Sequence, residues 1–261
     1  MPLDLEDLRT RRTLVVAAHP DDETVGPGAV LAELRDVTIV HVTGGSPANP
    51  SDARAAGFQT EADYARARRE EVVAALRLAG IGLERTREIG LRDQGAAAEM
   101  AVLARRLSAL LEELRPDVLL THPYEGGHPD HDATAFGVHA SCAMMHAPPQ
   151  IVEFACYHGL HGWMETGGFL PGGPDAVQLI LNDEAQSRKQ AMLACFVSQR
   201  ETLRAFSMKV ERYRPAPRYR FTERPHAGVL NYERYDWGMT GPRFRALARE
   251  ALAELELEDW L

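Results

Sequence analysis

Cysteine is scarce in this chain of 261 residues: Cys142, Cys156 and Cys195 are widely spaced and form no C-x-x-C pair. Such a scattered, odd set excludes a disulfide framework and a cysteine-rich zinc module, and it fits free thiols in a reducing compartment. Long apolar runs are also missing. Nothing approaches the roughly 20 residues that cross a bilayer, and the opening MPLDLEDLRTRR has no apolar core of the kind a signal peptide carries. The expectation is a cytoplasmic protein with no membrane span. Positive charge is short as well, with 29 Lys and Arg against 38 Asp and Glu. A net charge of −9 argues against nucleic acid and anionic membrane surfaces as partners. Internal repeats, low-complexity tracts and a clear linker are absent. The simplest organisation is therefore one domain over 1–261, with a core at about 12–200 and a less regular 207–261.

What is present is ordinary globular composition, 45% hydrophobic and 26% charged, in a chain long enough to bury most of its surface without staples. Strand and helix patterns alternate. Short apolar or β-branched runs at 13–18, 37–43, 86–90, 117–121, 151–156 and 177–181 read as buried strands. Between and after them, 22–35, 60–79, 97–115, 131–146, 183–196, 199–206 and 242–256 read as helices. This order predicts an α/β fold with a mostly parallel sheet, helices on both faces and a site at the carboxyl ends of the strands. The loops 44–58 and 158–174 should wall that site. The stretch 207–236 mixes Arg212, Arg214, Arg218 and Arg220 with Tyr213, Tyr219 and Phe221, which suits a lid, a contact between copies in a homo-oligomer, or a pocket for an anionic group.

The chemistry concentrates at two strand ends. After the run Leu14–Ala18 comes His19-Pro20-Asp21-Asp22-Glu23. His19 and Asp22 are three apart, so one turn can aim both at a single ion. An imidazole with a carboxylate suits Zn²⁺ or Fe²⁺ better than Ca²⁺. Asp21 lies between them, free for another role. Helix capping explains one carboxylate but not the whole cluster. After 117–121 comes His122-Pro-Tyr124-Glu-Gly-Gly-His128-Pro-Asp130-His131. His131 at a helix start is a candidate third ligand, with His128 beside the ion, and Asp130 is able to hold one of these imidazoles in a fixed tautomer. His41, inside a strand, reads as a hydrogen-bonded core residue. Arg68, Asp93, His122 and Tyr124 are candidate substrate contacts, with His158 and His161 as further ones. Each has a structural alternative: a solvated helix face for Arg68, an Asx turn for Asp93, and support of the site for His122. A dinucleotide-binding turn is excluded, because HPDDE stands where G-x-G-x-x-G would be needed.

AHPDDE at 18–23 together with HPDH at 128–131 resembles the PIG-L/LmbE-like family of metal-dependent N-deacetylases. The resemblance runs through about residue 200 in order and spacing. It implies a Rossmann-like fold and removal of acetyl groups from N-acetylglucosamine-type conjugates. It also implies a divalent metal, Zn²⁺ or another ion such as Fe²⁺, held by His19, Asp22 and His131. Asp21 would then be the general base, and a charged His128 would meet the tetrahedral intermediate with Asp130 as its partner. Members acting on sugars often carry a TxGE-like segment after the second strand; here it is Thr43-Gly44-Gly45-Ser46, without the Glu. Two other readings share these residues. One is a metal-dependent hydrolase of a non-sugar amide or ester. The other is a non-catalytic glycan- or metabolite-binding protein.

Overall fold

Five of the expected strands lie parallel at the centre of the computed structural model, which describes residues 3–47 and 49–261. They are β1 (Arg12–Ala17), β2 (Asp36–Pro47), β3 (Thr86–Asp93), β4 (Val118–Thr121) and β5 (Gln150–Phe154). The pairs β6 (Tyr157–His158) and β7 (Glu165–Thr166) make a small separate ribbon, while β8 (Val177–Ile180) and β9 (Val210–Pro215) join the main sheet. The main order is β3-β2-β1-β4-β5-β9-β8. In register, Val15 of β1 sits between Ile39 of β2 and Leu120 of β4. Chain order reverses between β1 and β4. That is the switch point at which open α/β sheets hold their ligands, and both histidine-rich segments follow these two strands.

The central strands are covered on both sides, as continuous apolar runs require. Leu14 and Val16 face one core with Leu103, Leu107 and Leu111 of α6 (Met100–Leu114), Phe136 of α7 (Pro129–Ala143) and Phe244 of α10 (Gly241–Leu255). Val15 faces the other with Leu8 of α1 (Leu5–Thr10), Val72 and Leu76 of α5 (Glu61–Leu78) and Met192 of α8 (Asp183–Ala194). Thr60, Asn182 and Thr240 cap α5, α8 and α10, each side chain accepting a backbone N–H of the first turn. No helix among the described residues is long and apolar enough to cross a membrane.

Three expectations need correction. The helix expected at 22–35 is two short pieces, α2 (Asp22–Val25) and α3 (Gly28–Leu31), separated at Gly26-Pro27. Pro27 brings no N–H to continue a ladder. Gly26 lies so close to Phe154 that a Cβ there would sit 2.2 Å from its ring. Gly26→Ala is therefore expected to cost about 1–3 kcal/mol through overpacking, read as a lower denaturant midpoint with unchanged slope. Second, the loop expected at 44–58 is partly regular: β2 continues to Pro47 with register breaks after His41 and Thr43, and α4 (Pro50–Ala55) follows. Residue 48 of that loop lies outside the described residues.

Third, the basic-aromatic stretch begins as strand β9, antiparallel to β5 and β8, so its first part is sheet rather than lid. Tyr213 and Arg214 are buried. Arg214 donates to Glu153 at 2.7 Å and to Glu125 at 3.1 Å, with its guanidinium 4.1 Å from the Phe169 ring centroid. Arg218 and Arg220 stack on Trp260. Much of the basic charge is thus neutralised inside the protein or spread on aromatic faces. A short helix, α9 (Arg200–Leu203), stands between α8 and β9.

Candidate active site

The first motif leaves β1 at Ala18 and turns sharply. The backbone N–H of His19 donates to Asp22 Oδ2 at 2.8 Å, and its Nδ1 faces the same oxygen at 3.1 Å. The other carboxylate oxygen, Oδ1, lies 3.2 Å from His131 Nε2. One carboxylate therefore meets two imidazoles from two strand ends. Asp21 takes φ 143°, a conformation rarely adopted by a residue with a Cβ and of the strained kind that clusters at functional sites. Glu23 holds it there: its Oε2 accepts the Asp21 N–H at 3.0 Å and faces His41 Nε2 at 3.0 Å. His41 is thus the hydrogen-bonded core residue that its place in a strand implies. Arg68 Nη2 donates to Pro20 O at 2.6 Å and to Asp21 Oδ2 at 3.1 Å.

The second motif leaves β4 and opens α7. His128 is the N-cap, and its Nδ1 accepts the backbone N–H of Asp130 at 3.1 Å. His131 stands in the first turn behind Pro129. Asp132 Oδ1 accepts the N–H groups of Glu125 and Gly126, tying the Gly-rich loop to the helix start. The Asp130 carboxylate is spent on the N–H groups of Gln94 (2.6 Å) and Ala96 (3.1 Å) and on His19 Nε2 (3.2 Å). This corrects the expected pairing. Asp130 supports His19 with its carboxylate, and it meets His128 only through its backbone. Asp93 Oδ1 also faces His19 Nε2 at 3.2 Å.

Burial and neighbouring charges set the protonation states. For His19, burial disfavours the cation, but Asp93, Asp130 and Asp22 outweigh it and push the imidazole well above the usual histidine range. For His131, burial outweighs Asp22 and brings the ring down to about 3. Burial, then the neighbouring imidazoles His19 and His131, also pull His128 well below the usual range against Asp93 and Asp22. That direction favours a neutral imidazole at His128 over the charged one expected. Asp22, opposed by burial, is held well below the carboxylate range by His131 and His122. Burial lifts Asp21 to about 8 against the pull of Arg68. His19 keeps Asp93 down at about 2 despite its burial.

These groups floor a cavity of about 710 Å³. His19, Asp21, Asp22, His128 and His131 line it, and so do Arg68 and Asp93. The loop 44–58 contributes Gly45, Pro47, Asp52 and Phe58, as a site wall should. The loop 158–174 does not line it; most of that loop surrounds a second cavity with Arg212 and Arg214. Two proposed substrate contacts are misplaced. Tyr124 is buried among Tyr219, Phe221 and Phe244, and its hydroxyl donates to Glu223 O at 2.7 Å. His122 lies behind the floor, stacked on His131 at 3.9 Å, with Nε2 accepting the Ala18 N–H. His158 and His161 do not line the cavity either, His161 pairing with Glu165.

Among the described residues, two groups bring possible ligand atoms within 4.8 Å of one another: Asp22, His122, His131 and Cys156; and His19, Asp93, His128 and Asp130. In the first group His122 has given Nε2 to a backbone N–H. Burial, then Asp22 and Asp21, push the Cys156 thiol well above its usual range, which disfavours the thiolate form beside that carboxylate. Asp22 and His131 remain, and His19 Nδ1 from the second group is the third donor on the same carboxylate. This set fits a divalent ion of borderline character: one ionised carboxylate with two imidazole nitrogens aimed at it, all facing the cavity.

An α/β sheet with a candidate metal centre at its switch point defines the general class of this protein. Residues 14–142 match the model of the PIG-L family, described as GlcNAc-PI de-N-acetylase. A 1D-myo-inositol 2-acetamido-2-deoxy-alpha-D-glucopyranoside deacetylase from Streptomyces avermitilis is 35% identical over 150 residues, 49% of this chain and 51% of that protein. The chain thus spans about half the length of such curated relatives. A deacetylase of the teicoplanin biosynthesis pathway superposes with a TM-score of 0.62 at 21% identity, covering 78% of this chain and 97% of that one. A 4-carboxy-2-hydroxymuconate hydratase from Pseudomonas putida does so at 0.55 and 17%, over 78% and 95%. These likenesses establish the fold. The hydratase shows that the fold alone does not choose the reaction.

Proposed function

We propose that this protein is a metal-dependent hydrolase that removes the N-acetyl group from an N-acetylglucosamine-type conjugate. The observation that carries the reading is the Asp22 carboxylate shared by His19 Nδ1 and His131 Nε2 at a cavity floor, with Asp21 beside it. His19, Asp22 and His131 would hold the ion, for which Zn²⁺ and Fe²⁺ are the matched candidates. When bound, the ion supplies a Lewis acid for the amide carbonyl and lowers the pKa of water.

The remaining steps belong to the side chains. Asp93 and Asp130 accept His19 Nε2–H, which leaves the Nδ1 lone pair facing inward, the usual task of carboxylates behind a ligating histidine. Asp21 takes the proton of the attacking water and returns it to the amine nitrogen as the C–N bond breaks. Arg68 and Glu23 fix Asp21 for that transfer. His128, whose Nδ1 is occupied by the Asp130 N–H, carries its proton on Nε2 and donates it as a hydrogen bond to the carbonyl oxygen while charge grows there.

The test is release of free amine and acetate in equal amounts from a panel of N-acetylglucosamine conjugates. Release from none of them, by protein saturated with ion, would overturn the substrate assignment. A second prediction separates the two roles considered for Asp93. Asp93→Asn is expected to weaken ion affinity by about 10–100-fold in competition with a chelator. A rise in KM with unchanged ion affinity would instead make Asp93 a substrate contact.

A further inference from the structure

Beyond its charged floor, the cavity changes character. Trp237 lies against His128, with ring centroids 4.5 Å apart, and Tyr235 stacks on Trp237 at 4.4 Å with an interplanar angle of 12°. Both rings line the cavity, as do Leu203 and Phe206. Tyr235 is 46% exposed and Val197, at the same mouth, 60%. Large apolar side chains held open to solvent at the entrance of a site mark a surface that is covered in use. The polar groups around them set the charge of what covers it. Asp52, Glu71, Asp93 and Glu201 outnumber Arg68 and Arg200, and Arg68 is committed to Asp21 and Pro20. An anionic group such as a phosphate finds no free cluster of cations here.

We infer that the conjugate carries an uncharged aromatic aglycone, which stacks on the Tyr235–Trp237 shelf while the N-acetyl group reaches the floor beside His128. This rests on the deacetylase reading and narrows it. The shelf lies outside residues 14–142, the segment matched to the family, so specificity of this kind belongs to this chain's own C-terminal part. The size of the cavity agrees: 710 Å³ lies within the roughly 300–1,000 Å³ of sites that enclose drug-sized ligands, of which a single acetylated hexose would occupy only a fraction.

The experiment compares methyl and naphthyl glycosides of N-acetylglucosamine as substrates of the metal-loaded protein. It also measures binding of the corresponding free-amine glycosides by calorimetry, which needs no turnover. An aromatic stack predicts a KM about three- to tenfold lower for the naphthyl substrate, and a matching gain in affinity for its amine. Tyr235→Ala truncates a half-exposed ring and is expected to erase both differences. Equal KM values and equal affinities in the wild type would overturn the shelf while leaving deacetylation standing. Tighter binding of the naphthyl amine, lost in Tyr235→Ala, without any deacetylation would support the shelf and overturn the reaction.

Discussion

Asp21→Asn is expected to lower kcat by about 10²–10⁴-fold, the contribution of a positioned general base, while ion content and folding stay at wild-type values. The substitution keeps the shape of the side chain, and Asn tolerates positive φ better than most residues. Glu23 can still accept the backbone N–H at residue 21, and Arg68 retains Pro20 O and an amide oxygen. What disappears is the ability to take a proton. Asp21 makes none of the contacts that join Asp22 to His19 and His131, so the ion should be unaffected. Steady-state kinetics beside metal analysis checks both halves. A rate within twofold of wild type would remove Asp21 from the proton transfer, and a loss of ion would make it a ligand.

Lys189→Met is expected to cost about 3–5 kcal/mol of stability, the usual penalty for stripping one partner from a buried ion pair. Lys189 and Lys209 are the lysines of this chain, and Lys189 is fully buried. Its ammonium pairs with Glu211 at 2.6 Å and donates to Val25 O at 2.8 Å and Gly26 O at 3.1 Å, the carbonyls at the end of α2. Glu211 in turn accepts from the Ala29 and Val30 N–H groups at the start of α3 and from the Tyr213 hydroxyl. The pair thus spans the break after the first motif, where a continuous helix would have satisfied its own backbone. Removing the ammonium leaves an uncompensated carboxylate and orphaned carbonyls. Adding Glu211→Gln should recover part of the loss by removing the lone charge. Urea denaturation measures both; a loss below about 1 kcal/mol for Lys189→Met would mean that water replaces the ammonium, against the usual cost of a broken buried pair.

Much of the site was legible because both motifs lie at strand ends, where spacing along the chain maps onto spacing at the sheet edge. Buried strands such as 37–43 announce themselves through β-branched runs, and a sheet then gathers His19, Asp22 and His131 without further information. Elements that depend on distant partners were not legible. The break at Gly26 follows from Phe154, Lys189 and Glu211, all far along the chain. Strand β9 reads in the sequence as part of a lid, a contact between copies or a pocket for an anionic group, because Arg214 finds its carboxylates, Glu125 and Glu153, only after folding. Asp93 reads as a substrate contact and Asp130 as the partner of a second-motif imidazole, but their convergence on His19 comes from β3 and α7 meeting beside β1. Tyr157, which lines the cavity with its ring 5.1 Å from that of His131, follows the end of β5 and is reachable by the same strand-end rule that located the histidines. Trp237 leaves no such trace, since its approach to His128 depends on the path of a long irregular segment.

The most direct test of the account is a titration of chelator-stripped protein with Zn²⁺ or Fe²⁺, following amine release from an N-acetylglucosamine conjugate against bound ion. No release is expected from the stripped protein, and the rate should rise linearly to a plateau at about one ion per chain. No recovery of rate is expected in His131→Ala under the same loading. Full activity in the stripped protein, or a wild-type titration curve in His131→Ala, would contradict these expectations.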